Sequence, residues 1–575
     1  MLSVLISWLI IFAASMIFGC FTIHVLYGRG TETLRKPDVC LACGLMVINV
    51  YAQIFSLFYK VGAMACCLLF FLGIICLACL MFSARREGRL NMPDKQKLWT
   101  WLTTRKTNIL LIVICAAATL FWTTSTAMHY DTYLYHIQTI KWIEEYGVVP
   151  GLGNLHCRFA YNSAFMALQA LLSLEWLTGQ SMHTVNGYIC CIAIVYALTD
   201  NRLFTNERPE LSDLLKIAMI AYVYYTREYI SSPNSDTLAM LLVLYICIKW
   251  SEFIEKDIRD ALPYTYLCVL GVWAVTVKLS AGVCIILAIY PFVLLIKGKR
   301  WKEMAVNICA GLFIALPWLA RNIVISGYLL YPYPRLDFFS VDWKMPESVV
   351  TFDAREIMLW GRGIKNPYQS ATPIWEWFPA WFQDVPRFIV VVGFGSAIAL
   401  GIAVIYGFAA GKKQDIRRNV LFGYSILALF AWLFSAPLIR FGIVYLLIPI
   451  CGVVWMMLER KKDCERLQVS ARYIITLLMI PMFCIYLSSW GNVESLPKGM
   501  QENYQWHLTN TVEIADGVNV WYPAEGDLGS YDVFPCVPYK GMIEKVKMRG
   551  ESMRDGFRIK EEYADKRING AGFEW

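Results

Sequence analysis

Residues 108–136 read NILLIVICAAATLFWTTSTAMHYDTYLYH. Through Thr126 the run is apolar and uncharged, close to the ~20 residues a helix needs to cross a bilayer's hydrocarbon. It then breaks, within one turn, into Met128-His129-Tyr130-Asp131-Thr132-Tyr133-Leu134-Tyr135-His136. An acid at the end of a span, among histidines and tyrosines, is costly to keep there and marks a site. This predicts an all-α polytopic membrane protein with its chemistry at one rim.

Composition points the same way. Of 575 residues, 58% are hydrophobic and 17% are charged, against about a quarter charged in an ordinary soluble domain. Mean hydropathy is +0.48. So little polar surface excludes a cytosolic enzyme, a disordered scaffold and a secreted disulfide protein. The 19 cysteines lie mostly inside apolar runs, as Cys66-Cys67 and Cys190-Cys191 do, and read as packing residues. Two CxxC pairs, Cys40 with Cys43 and Cys76 with Cys79, stand too far apart for zinc spacing. The first apolar run is too long for a signal peptide and lacks a basic start, so it reads as a span.

Apolar runs predict about fourteen crossings, over 2–26, 40–59, 62–83, 108–126, 183–199, 214–231, 236–253, 264–280, 281–297, 304–325, 387–409, 420–438, 442–458 and 471–490. Lysine and arginine in short loops set the orientation. Segment 84–107 carries seven basic residues against Glu87 and Asp94. Loops around Lys297–Lys302, Lys412–Arg418 and Arg460–Lys462 are also basic, and all four should be cytoplasmic. Segment 326–386 has five basic and seven acidic residues, and the tail 491–575 has ten and fourteen. Both belong outside, which makes the net charge of +8 a topology signal and not a sign of a nucleic-acid partner. Residues 161–179 are apolar enough to cross, yet a crossing there would flip every later basic loop. With Ser163, Gln169, Ser173 and Glu175 inside it, this stretch is expected to lie at the outer interface or to re-enter.

The chain then divides into a three-span extension with a basic loop (1–107), a core (108–325) whose outer loop is 127–182, and an outer segment (326–386). Further spans (387–490) and an extracytoplasmic tail (491–575) follow. Trp521-Tyr522-Pro523 and Phe534-Pro535-Cys536-Val537-Pro538-Tyr539 mark the tail as a small folded cap.

Polar residues converge on the expected outer face. Asp131, Tyr135 and Gln138 share one side of a helix, with His136 beside them and Arg158 further along the loop. Glu144 and Glu145 fit a solvated face of a short amphipathic helix. A second cluster, Tyr224 to Asp236, holds Arg227, Glu228 and Asp236, and here Ser235 and Asp236 also fit helix caps. Lys278 lies between two apolar spans, where snorkelling to headgroups is the plain alternative. Arg440, in Ala436-Pro437-Leu438-Ile439-Arg440-Phe441-Gly442, has no acid near it in sequence and needs a carboxylate or a phosphate. Two carboxylates with several cations suit transfer from a phosphate-bearing donor: the acid takes a hydroxyl proton and the cations hold the departing phosphate.

The order of these features resembles the GT-C superfamily of glycosyltransferases, in particular its protein-mannosyltransferase and aminoarabinose-transferase branch. The resemblance rests on Asp131 at a span end, the juxtamembrane helix after it, Tyr224-Tyr225-Thr226-Arg227 before Asp236, and Arg321-Asn322 before a long outer loop. Trp142 to His156, the Ala436 to Gly442 turn and Phe534 to Tyr539 are similar to a group of multi-spanning bacterial surface-polysaccharide-type membrane proteins. The resemblance covers roughly 120–450 and implies a GT-C-like core at 108–325. It also implies a bacterial inner membrane protein with its active face outside. Sugar would pass from a polyprenyl-phosphate donor to a glycan or lipid acceptor, with Asp131 and Asp236 catalytic. Tyr135, His136, Arg158, Arg227, Lys278 and Arg440 would bind substrate. The first loop has Tyr130-Asp131 where the family carries an acidic pair, so a divalent cation stays an open alternative. A flippase for lipid-linked glycans, an O-antigen-type polymerase or ligase, and an assembly scaffold are the rival readings.

Overall fold

The computed structural model describes residues 1–28, 32–86, 106–199, 201–204, 207–366, 369, 373–410, 414–460, 504–515 and 517–564. Most of these are helical. The helices that position the site are α1 (Leu2–Tyr27), α2 (Pro37–Phe58), α3 (Ala63–Arg86), α4 (Lys106–Thr123), α5 (Ile137–Glu145), α6 (Ala164–Leu172), α7 (Val185–Thr199), α8 (Leu211–Tyr225), α9 (Ser235–Glu255) and α10 (Ala261–Val277). They continue with α11 (Leu279–Lys297), whose first ten residues are 3-10, α12 (Trp301–Ser326), α13 (Glu347–Gly361), α14 (Ile374–Asp384), α15 (Arg387–Ala409), α16 (Ile416–Phe434) and α17 (Ile439–Arg460).

Among the described residues, nine helices are long and apolar enough to cross a membrane: α1, α2, α3, α9, α11, α12, α15, α16 and α17. The protein is therefore a helical membrane protein. Helices α4, α7 and α10 are apolar but shorter, and the expected crossing at 471–490 lies outside the described residues. Helix α9 is the axis of the bundle, with 94% of its apolar window buried, and it packs on α8, α10, α16 and α17. The cap of α9 is Asn234, whose side chain accepts from the Thr237 amide at 3.1 Å. Asp236 is thus not the cap residue, and its carboxylate is free for other partners.

Residues 161–179 form no helix long enough to cross a membrane by itself. They break into a 3-10 turn (Cys157–Tyr161), the nine-residue α6 and a single turn (Glu175–Thr178). At 1.5 Å per residue α6 spans about 14 Å, less than half the hydrocarbon thickness. All of α6 is buried, packed against α2 and α5, so it is an internal helix and not one lying at a lipid interface. Gln169 sits within it fully buried, and neither amide atom has a hydrogen-bond partner.

The tail folds, as its Pro and aromatic content suggested. Strands β1 (Thr509–Ala515) and β2 (Val518–Pro523) pair antiparallel, Thr509 opposite Pro523, as do β3 (Val546–Met548) and β4 (Phe557–Ile559), Val546 opposite Ile559. A second hydrophobic core joins this cap to segments 127–182 and 326–386 through Trp142, Leu155, Tyr328, Val350, Val537 and Phe557. Gly151, at φ +66°, lets the chain turn directly beneath the Phe557 carbonyl, where a Cβ would collide.

A buried ion network holds the opposite end of α9. Lys249 reaches Asp38 and Glu252 at 2.9 Å each, and Lys216 reaches Glu252 at 2.9 Å. The Tyr245 and Tyr196 hydroxyls donate to Asp38 and Glu252 at 2.9 and 3.0 Å. Every partner there is another protein group, so this network is satisfied internally.

Candidate functional site

After Ser125, α4 gives way to an irregular stretch, and residues Thr132–His136 form one wide π-turn, a local device frequent at functional sites. The turn leaves Asp131 at its head and separates it from Gln138. Gln138 points away to the tail, donating to Ser530 O and Val533 O at 3.2 and 2.9 Å and accepting from the Cys536 amide at 2.9 Å. The single side expected for Asp131, Tyr135 and Gln138 is thereby divided between two tasks.

Asp131 is the hub. Its Oδ2 accepts from Arg440 Nη2 at 2.9 Å, and its Oδ1 lies 3.9 Å from Arg158 Nη1. Arg440 faces a second acid as well, with Nε 3.8 Å from Asp236 Oδ2. Lys278 closes the chain by an ion pair with Asp236 Oδ1. The stretch after α4, the start of α9 and the start of α17 thus meet through one guanidinium, and the α10–α11 junction joins them through Asp236. Lys278 and Arg440 both lie over the Phe441 ring, at 3.6 and 5.0 Å from its centroid. Lys278 is therefore engaged with Asp236 and not extended toward headgroups.

His129, which is not among the expected site residues, belongs to this cluster. Its Nε2 lies 2.8 Å from Arg440 Nη1. A guanidinium has only donors, so this nitrogen must accept. Burial, reinforced by Arg440 and Lys278, lowers the imidazole to about 4, so it is neutral near pH 7. Burial pushes the Asp131 carboxyl up, but Arg440, ahead of the two histidines and Arg158, holds it well below the ordinary carboxylate range. His136 packs against His129 and Tyr135, and Tyr135 against Tyr161, within the same shell.

Arg158 links the hub to segment 326–386. Its Nη2 is 3.5 Å from Glu356 and its guanidinium lies 5.1 Å from the Trp360 ring. Beside it, Asp353 accepts from the Tyr331 and Tyr161 hydroxyls at 2.7 and 2.9 Å. Arg227 behaves differently from the other predicted residues: it pairs with its neighbour Glu228 at 3.0 Å and packs on Tyr224. Glu356, Trp360 and Asp353 carried no distinguishing motif in sequence, because only the folding of a long loop brings them close.

The arrangement suits an anionic ligand. Arg440 is 31% exposed while its acid partner Asp131 is 13% exposed, so the cation is the accessible member. Its Nε–H is buried and has no hydrogen-bond partner. The donor set does not fit a divalent cation: a guanidinium already bridges the two carboxylates, and among the described residues no three His, Cys, Asp or Glu groups converge to hold a metal. Cys157 and Cys536 are both buried free thiols.

The fold and this cluster define a membrane protein with a charged site at one end of its bundle. The chain belongs to the family described as domain of unknown function (DUF8201), which matches residues 1–447. That match contains α1 to α3 and every residue of the Asp131 hub. No curated protein and no solved structure matches the chain.

Proposed function

We propose that the protein is a membrane glycosyltransferase of GT-C type, moving a sugar from a polyprenyl-phosphate donor to a glycan or lipid acceptor on the extracytoplasmic face of a bacterial inner membrane. The observation that carries this reading is the bridge Asp131–Arg440–Asp236–Lys278: two carboxylates and two cations brought to one point at the end of a membrane bundle. In the step envisaged, the acceptor oxygen bonds to the anomeric carbon as the bond from that carbon to the phosphate oxygen breaks. The electron pair leaves with the polyprenyl phosphate, and the acceptor proton passes to Asp131. Arg440 and Lys278 stabilise the negative charge that develops on the phosphate.

In the resting state Asp131 is a poor base, because Arg440 holds it. A bound phosphate competes for Arg440, the better-exposed partner. Once Arg440 turns to the phosphate, Asp131 keeps only the longer contact with Arg158 and gains basicity. Donor binding would then precede activation of the acceptor. The ionisable residues of the hub gather at one end of the bundle, apart from the separate Lys249 network at the other end of α9.

Asp131→Asn keeps the shape and removes the base. We expect it to lower the transfer rate by about 10²–10⁴-fold while the purified protein elutes and melts like the wild type. Transfer of radiolabelled sugar from a polyprenyl-phosphate donor, measured in reconstituted vesicles, checks this. Wild-type rates in the variant would remove the assignment.

A further inference from the structure

The tail lies beyond the family match, yet it reaches the residue beside Asp131. The Tyr130 hydroxyl bonds Asp527 Oδ2, and the Tyr539 hydroxyl donates to the same oxygen at 3.2 Å. Asp527 sits on the tail loop that follows β2, and Tyr539 opens the short helix Lys540–Lys545. Both tyrosines stand close enough to Arg158 for its charge to act on them. Arg158 also meets α13, which presents Glu356 and Trp360, four residues apart and so on one helix face. Tyr130 is 43% exposed and Trp360 is 41% exposed. Large aromatic rings left open beside buried charged groups offer a binding surface.

The chemistry of this rim is specific. Exposed aromatic rings offer flat apolar faces to the C–H face of a pyranose. Asp527 offers carboxylate oxygens, which accept from vicinal hydroxyls and are acceptor-only when ionised. Glu356 is buried against Arg158 at 3.5 Å, whereas Asp527 is half-buried and meets the Tyr130 and Tyr539 hydroxyls. Three separate parts of the chain supply the rim: the residue before the hub, the long segment 326–386 and the tail.

We infer that Tyr130, Asp527 and Tyr539, with Trp360 and Glu356 beside Arg158, form a saccharide subsite that receives the acceptor, and that the C-terminal cap sets its specificity. This rests on the transferase reading above for which substrate the subsite receives. The hub supplies a common transfer centre, and a cap outside the family match selects what is modified.

The test uses the full chain in lipid nanodiscs, probed with an array of defined bacterial oligosaccharides. In parallel, native mass spectrometry follows retention of undecaprenyl phosphate. Wild type is expected to bind a subset of the saccharides. Trp360→Ala and Asp527→Asn should each weaken that binding at least tenfold and keep undecaprenyl phosphate. Lys547→Ala, elsewhere on the cap, should bind saccharide normally. Tyr130→Phe, which removes one hydroxyl and keeps the ring, guards against misfolding and should weaken binding in part. No saccharide bound by wild type, or binding indifferent to Trp360 and Asp527, overturns the subsite. Failure of wild type to retain undecaprenyl phosphate, with saccharide still bound at the rim, overturns the transferase reading and leaves the subsite standing.

Discussion

Glu144 and Glu145 are adjacent in sequence and end in opposite surroundings. Glu145 faces solvent, as expected for a short amphipathic helix, whereas Glu144 is buried. Both Glu144 oxygens lie 3.0 Å from the Ser181 hydroxyl. Burial, with Glu175 adding to it and the Ser173 and Ser181 bonds opposing, raises the acid from 4.5 to about 8. Folding therefore favours the protonated form. The sign follows: the stability this group contributes is whole below its unfolded value of 4.5 and is lost as the pH rises through about 8. Tm of the wild type should fall between about pH 4.5 and about pH 8, and Glu144→Gln should flatten much of that fall. Scanning fluorimetry across that range decides it, and an unchanged slope in the variant would show the charge is paid for elsewhere. Sequence could not separate the two glutamates, since one residue of helical rotation decides which enters the core. The same limit hid His129, whose role depends on a guanidinium 311 residues away.

At the scale of elements, the apolar runs were legible because hydrocarbon demands length and apolarity together. A helix occupies each of the first thirteen predicted runs, though only nine are long enough to cross by themselves. Stretch 161–179 shows what composition alone misses. An apolar run is compatible with either a span or a buried helix, and breaks at Asn162 and Leu174, both in left-handed backbone, cut it to nine residues. Packing between elements follows small residues. Gly19 of α1 and Gly44 of α2 let the two backbones touch: a Cβ on Gly19 would meet the Cys40 carbonyl, and one on Gly44 the Ser15 carbonyl. Ser15 and Gly19, like Cys40 and Gly44, are spaced by four, the pattern that brings membrane helices close. Gly44→Val should force α1 off α2, costing about 1–3 kcal/mol as overpacking does. Gly62→Ala, with open space around its position, should be neutral by comparison. Thermal unfolding of the two variants, side by side, measures the difference.

For the whole molecule, the proposed function turns on which side of the membrane the Asp131 end faces, because the proposed polyprenyl-linked donor would be used outside. The clustering of that end was partly legible: Asp131, Asp236, Lys278 and Arg440 stand near predicted span ends and Arg158 in the first outer loop, and one ion-pair chain joins them. Glu356, Trp360 and Asp527 were not legible, since long loops and a separate cap bring them in without any local pattern. Orientation itself rests on the positive residues of short loops. Lys297, Lys299, Arg300 and Lys302 gather at the turn from α11 into α12, while Arg362 follows α13 on the side of the hub, bonding the Phe434 carbonyl at the end of α16. A green fluorescent protein fused after Gly298 should therefore fluoresce in the cytoplasm, and alkaline phosphatase fused after Gly363 should be active outside. The two reporters respond oppositely, so each pair of fusions checks the other. If the signals are exchanged, the hub faces the cytoplasm, the basic loops are outside against their usual bias, and an externally used lipid-linked donor can no longer be its substrate. The saccharide rim would remain a binding surface in that case, but one open to a cytoplasmic sugar.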